Sequence, residues 1–339
     1  MMCQRIAILL FCIATLSPQL AAADKDHPKQ KLYVTNSAGD DVTVIDVATN
    51  KVLGRIEVGP HPHGIAAPAS QDVFYVTIEG NGKDKPGELV WIDPRTDKVT
   101  RRLDIGPEPN QLAVTPDGKF AYIPVSDGHY EVVDLAQAKI VKRITTGGRP
   151  HNTACSADGK HMYLAPMGDI KKVLIADVSK HEVVDEIAFS NVVRPIALAQ
   201  DEKRLYANVD GLVGIEVADV ASKKIIHRVA AELGEKNKDK PSRSHGMAIR
   251  PDQKELWECD VEHFEVHVYD LTADKPKQTA TVDIGTQIYW LTFAPDGKTC
   301  YIAARGANEV AIVDAQSKKV TGRIAVGKEP KRLIVVTLP

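Results

Sequence analysis

The sequence predicts an all-β protein, a seven-bladed β-propeller with four antiparallel strands in each blade. Three observations carry that reading. The stretch Leu32 to Gly59 reads as three short strands: LYVT and VTVIDV are apolar, β-branched runs, and KVLGRIEV alternates apolar with polar residues. The rest of the chain repeats it, in units beginning at Lys31, Val73, Phe120, His161, Arg204, Glu255 and Thr299. Seven units of about 40–50 residues, each with four strand signals, have the period of propeller blades.

A chain of 339 residues exceeds the usual size of one compact core. A radial array escapes that limit because each unit buries its faces only against its neighbours, so a single domain can span residues 31–339.

Three landmarks recur in the units. An aromatic stands early in each: Tyr33, Tyr75, Tyr122, Tyr163, Tyr206, Trp257 and Tyr301. An aspartate ends the middle strand: Asp46, Asp93, Asp134, Asp177, Asp219, Asp270 and Asp314. An apolar strand then runs into Pro-Asp-Gly or a relative of it, as in LAVTPDG (112–118) and LTFAPDG (291–297). The aspartates invite a catalytic reading, but their regular position followed by Lys, Thr or Ser is that of a hairpin turn satisfying its own backbone N–H groups.

These residues resemble the YVTN β-propeller repeat family, whose motif stands intact as Tyr33-Val34-Thr35-Asn36 and whose VIDVATNKV segment and PDGK turn are also present. WD40 repeats share the period, but their Gly-His and Trp-Asp signatures are missing. The resemblance covers residues 31–339. It implies that the strand before Pro-Asp-Gly is the innermost of a blade, A, with B, C and D following outward. It implies little about function, since members include surface-layer and periplasmic propellers and related seven-bladed propellers include lactonases and lyases. The chain then enters at a B strand and ends with an A strand, Arg332–Thr337, which is expected to pair with Leu32–Thr35. That pairing closes the ring and removes its open edges.

Residues 1–23 read as an export signal, with Arg5 at a positive start, an apolar run from Ile6 to Leu16, and Ala21-Ala22-Ala23 for cleavage. The run is too short to span a bilayer, and Phe11 before Cys12 argues against a lipoprotein signal. A periplasmic or secreted protein is expected, starting near Asp24 with a short lead over 24–30. A net charge of -2 supplies no bulk cationic field for nucleic acid. Cys3 and Cys12 leave with the signal. The remaining Cys155, Cys259 and Cys300 are odd in number, lack CxxC spacing, and read as small buried hydrophobes. A Cys259–Cys300 disulfide suits an oxidising compartment, but the offset of the two strands disfavours it.

The A–B and C–D turns, short and uniform, fall on one face, and the B–C and D–A loops on the other. The second set carries the variation, in loops 79–87 (EGNGKDKPG) and 231–244 (AELGEKNKDKPSRS). Irregular loops on a rigid scaffold are where binding concentrates. No phosphate loop, G-x-S-x-G elbow, H-E-x-x-H helix or basic–aromatic cluster is present. Two function classes follow: an exported ligand-binding or interaction scaffold for a small anionic molecule or an envelope protein, and a propeller enzyme of lactonase or lyase type.

Aligning the A strands on their turns puts one residue per blade at the channel mouth: Lys331, His63, Asn110, His151, Arg194, His245 and Tyr289. None is aliphatic, whereas the residue two positions on is apolar in every unit but the one with Thr153. This contrast predicts a wet, polar, ligand-binding funnel. His63, His151 and His245 fall in alternate blades. Converging neutral imidazoles suit a divalent metal ion such as Zn, Cu or Fe, with Tyr289 as an acid and Lys331 and Arg194 holding a carboxylate or oxyanion. Without metal the same residues form an anion-binding cup, or simply line a water-filled channel. The two cations oppose a metal, and no aligned ring position supplies a carboxylate to offset them.

Overall fold

The computed structural model describes residues 29–82, 85–234, 240 and 244–338. The export signal, most of the lead and parts of both long loops lie outside the described residues. Seven four-stranded antiparallel sheets stand around a central axis. Their B strands begin at Gln30, Phe74, Phe120, His161, Arg204, Glu255 and Thr299, within one residue of the repeat boundaries read from the sequence.

The strand composition follows from where each strand sits. B and C strands are covered on both faces by the neighbouring blades, so they are nearly continuous apolar runs such as FYVTI (Phe74–Ile78) and EVAIVD (Glu309–Asp314). The D strands form the rim, and Lys51–Glu57 is exposed except at Ile56. The core is therefore divided into seven slabs, one between each pair of adjacent blades. Cys259 and Cys300 lie in the slab between blades 6 and 7 as free, fully buried thiols. The disulfide considered for them is not formed.

The landmark aromatics join these slabs. Tyr33 donates through Oη to Asp97 (2.6 Å), and Tyr301 to Asn50 (3.2 Å). Tyr122 Oη meets His181 Nδ1 at 2.7 Å. Each of these three partners sits in the C–D turn of the next blade, so a polar contact ties each of these blades to its neighbour. All seven landmark aspartates are turn residues. Each accepts a backbone N–H two or three positions on, from Ala48, Arg95, Gln137, Ser179, Ser222, Thr272 and Ser317, at 2.7–3.1 Å.

Closure is as expected and slightly longer. Pro330–Thr337 pairs antiparallel with Gln30–Asn36, with Tyr33 opposite Ile334 and Val34 opposite Leu333. Blade 1 thus takes its A strand from the opposite end of the chain and its B, C and D strands from residues 30–57. A bulge between Val34 and Asn36 lets the strand turn into the channel mouth at Lys331 and Arg332.

Candidate anion site at the channel mouth

The other six A strands are Pro62–Ala66, Ala113–Val114, Arg149–Cys155, Val193–Leu198, Ser244–Ile249 and Leu291–Phe293. Two glycines decide how closely their entrances approach. A Cβ on Gly64 would lie 2.5 Å from the Asn110 carbonyl, and one on Gly246 would lie 2.5 Å from the Trp290 Cα. Without side chains there, blade 2 approaches blade 3 and blade 6 approaches blade 7. His245 is thereby brought against Tyr289, with ring centres 4.1 Å apart.

The structure gathers the ring residues into two groups. His151 and His245, from blades 4 and 6, stack across the channel at 5.2 Å with their planes 13° apart, and Tyr289 closes on His245. On the other side, Glu79 Oε1 takes the Nδ1 of His63 and the Nζ of Lys331, the latter at 3.1 Å. Arg194 is held by Asp210 and stands off from direct contact with the imidazoles.

The wet funnel is corrected by this packing. His63, His151 and His245 are all buried, at 4%, 8% and 9% exposure, because side chains from opposite blades meet across a narrow axis. No aligned ring position carries a carboxylate, but Glu79 and Asp210 reach the ring from the ends of B strands, outside the aligned column, and pair with its two cations. Among the described residues no group of three His, Cys, Asp or Glu is arranged to hold a metal ion.

The residue that the alignment missed is Arg332. It is 1% exposed, and its guanidinium lies over the Trp290 ring with Cζ 3.7 Å from the centroid. One amino group donates to Asn110 Oδ1 at 3.3 Å. Its Nε and Nη1 have no partner among the described residues, nor do His63 Nε2, His151 Nδ1 and His245 Nδ1. Five buried polar nitrogens without partners around one guanidinium are a large debt, since such groups are normally satisfied. The sequence signal for Arg332 lies one step along the aligned strands. That column reads Arg332, Gly64, Gln111, Asn152, Pro195, Gly246 and Trp290, with a single charge.

Electrostatics follow from burial. Desolvation, with Lys331 beside it, pushes the His63 pKa down to about 3 despite Glu79. Burial and the Arg332 charge hold His151 well below the ordinary imidazole value; for His245 the causes are burial, then His151 and Arg332. Glu79 is held down to about 2 because His63 and Lys331 outweigh its own desolvation. Burial lowers even Arg332, to about 10. Among the described residues the mouth therefore contains three neutral imidazoles, ion-paired Lys331 and Arg194, and one buried cation without an ion pair.

A family model described as the cytochrome D1 heme domain matches residues 127–339. No curated protein sequence matches the chain. Among solved structures, hydrazine synthase of Kuenenia stuttgartiensis superposes with a TM-score of 0.70 at 20% identity, over 88% of this chain and 99% of that one. The periplasmic gluconolactonase PpgL of Pseudomonas aeruginosa gives 0.76 at 14% identity, over 91% and 99%. The dihydro-heme d1 dehydrogenase NirN, in complex with DHE, gives 0.65 at 15% identity, over 88% of this chain and 64% of that one. At these identities the likeness is one of fold.

Proposed function

The chain belongs to the cytochrome D1 heme domain family, and from that premise we propose that it binds a small anionic ligand at the channel mouth. The residues assigned to the site are His63, Asn110, His151, Arg194, His245, Tyr289 and Lys331, together with Arg332. The observation that carries the reading is the Arg332 guanidinium, buried with no carboxylate partner and two unpartnered nitrogens among the described residues. An unpaired buried cation costs several kcal/mol, by order of magnitude. A bound anion offsets that cost through charge-assisted hydrogen bonds.

The haem named in the family's description does not fit the residues present. A flat macrocycle lying on an imidazole needs an open slot beside it. Here His151 and His245 are stacked on each other, Tyr289 covers His245, and Arg332 covers Trp290. No chemistry is routed through haem on this account. The YVTN repeat relationship is carried by the motif at Tyr33–Asn36, and export to the periplasm by the N-terminal signal pattern. Among the described residues no helix is long and apolar enough to cross a membrane.

A second reading, turnover of the bound ligand, is favoured by one contact. Glu79 beside His63 Nδ1 orients the ring and leaves Nε2 without a partner, the geometry of an oriented proton acceptor, although a pKa of about 3 makes it a weak base. Calorimetric titration with a panel of organic anions tests the first reading, and turnover of a lactone panel tests the second. Saturable binding that Arg332→Gln weakens about 10- to 100-fold is expected. Identical isotherms for the two proteins would remove the site.

A further inference from the structure

We infer that the channel mouth is matched to a small hydroxylated monocarboxylate and discriminates against polyanions; this rests on the anion-binding reading. Charge accounting across the site comes first. Lys331 faces Glu79, Arg194 faces Asp210, and Arg305, whose guanidinium lies 5.5 Å from the Tyr289 ring centre, faces Glu329. Arg332 has no ion pair among the described residues. The histidines add no charge, because each is buried among cations. Arg149 also acts on His151 but stands exposed to solvent, so among the described residues one buried positive charge is left over, and one negative charge balances it. A second carboxylate on the ligand would be buried without a partner, which disfavours binding.

Hydrogen-bond accounting comes next. Lys331 Nζ lies 3.2 Å from His63 Nδ1 as well as 3.1 Å from Glu79 Oε1. The ionised Glu79 carboxylate, however, can only accept and makes the closer contact to that nitrogen, which assigns the proton of the neutral His63 ring to Nδ1. Its Nε2 is then a bare lone pair, buried and unpartnered. A carboxylate oxygen cannot satisfy it, because lone pair would face lone pair. A hydroxyl can, by donating to Nε2. His151 Nδ1 and His245 Nδ1 are likewise without partners and can donate or accept according to tautomer. Arg332 requires the carboxylate and His63 requires the hydroxyl, so the ligand class is the hydroxy acid.

The experiment uses the full mature chain and titrates it calorimetrically with glycerol, glycerate and tartrate. These carry zero, one and two negative charges on short hydroxylated backbones. Glycerate is expected to bind at least tenfold more tightly than the other two, and more tightly than propionate, which lacks hydroxyls. Glu79→Gln removes the counter-charge of Lys331, so the tartrate-to-glycerate affinity ratio should rise about tenfold. Asp210→Asn frees Arg194 and should move the ratio the same way, which keeps the test open if Glu79→Gln does not fold. Tartrate binding as tightly as glycerate to the unsubstituted protein would overturn the charge match. Propionate equal to glycerate would overturn the hydroxyl match. An unmoved ratio in both folded variants would overturn the inference. Absence of any anion binding, by contrast, would remove the underlying site.

Discussion

The guanidinium carbon of Arg332 lies 3.7 Å from the centre of the Trp290 ring. The two residues come from adjacent blades, and the indole shields one face of the cation from water while its π-system offsets part of the desolvation. The edge of the guanidinium remains in need of partners. A charge placed this way is expensive to keep, and its expense makes it informative.

Replacing Arg332 with Met should separate stability from binding. Removing a buried unpaired charge in favour of a flexible apolar side chain is expected to leave the thermal midpoint unchanged or raise it by a few degrees. The same variant should lose anion binding. A fall in midpoint of more than about 5 °C, equivalent to more than 1 kcal/mol in a protein of this size, would mean that Arg332 is a packing residue.

Acid should destabilise the protein well above the pH at which carboxylates titrate. His63, with a folded pKa of about 3 against an ordinary 6.5, and His151 and His245, both held well below that ordinary value by burial and neighbouring positive groups, bind protons in the unfolded chain that the folded chain refuses. Stability therefore falls as pH drops below about 6.5, by about 1–2 kcal/mol per histidine between pH 7 and 5. Glu79, lowered to about 2, adds a loss in the same direction at lower pH. Burial opposes the proton on His267, but the Asp260 hydrogen bond and the nearby acids outweigh it and raise its pKa. Its contribution is present at low pH and lost as pH rises through that raised value. Thermal unfolding from pH 4 to 9 should give a dome. His63→Gln should flatten its acid limb, and an unchanged limb would refute the assignment.

His151→Ala should weaken binding of the same anions. Because the ring is buried rather than water-facing, the variant should also cost about 1–3 kcal/mol through the cavity it leaves, with His151→Gln costing less. Chemical denaturation beside calorimetry distinguishes the two effects.

Deleting the residues after Gly327 removes the whole A strand of blade 1 and its pairing with Gln30–Asn36. The expected product is aggregation-prone or melts far below the intact chain, since an open edge is exposed and two core slabs lose a wall. A truncated protein with an unaltered melt would refute closure.

Ala138 holds φ 48° in a C–D turn where other blades place Asn50, Asp97 and His181. Ala138→Gly should raise stability by about 0.5–1 kcal/mol, because alanine pays for the left-handed region and glycine does not. Unfolding in urea would register this as a higher midpoint with the same slope.

The fold was legible because its signals repeat. Seven aromatics, seven aspartates and seven A strands each restate one blade, so errors in any single unit cancel. The candidate site was legible only as a column of polar residues. Polar type was taken for exposure, and His63, His151 and His245 showed why that fails: on a narrow axis, polar side chains bury one another. Arg332 was hidden because its column mixes glycine, proline, amides and tryptophan, and its importance depends on reaching Asn110 and Trp290 in other blades. Glu79 and Asp210 were hidden because a pairing between different strands leaves no mark at fixed sequence spacing.

The joint that completes blade 1 also sets the order of events during synthesis. Thr35 Oγ1 accepts the backbone N–H of Arg332 across 297 positions of chain. As the chain emerges from its N-terminus, the middle blades can dock in turn, while the first three strands wait without an inner partner until the last strand follows. The unpaired cation arrives on that same late segment. A nascent or C-terminally clipped molecule thus lacks both the seal of the ring and its buried cation, so quality control acting on loose ends would also remove the copies in which the channel mouth is incomplete.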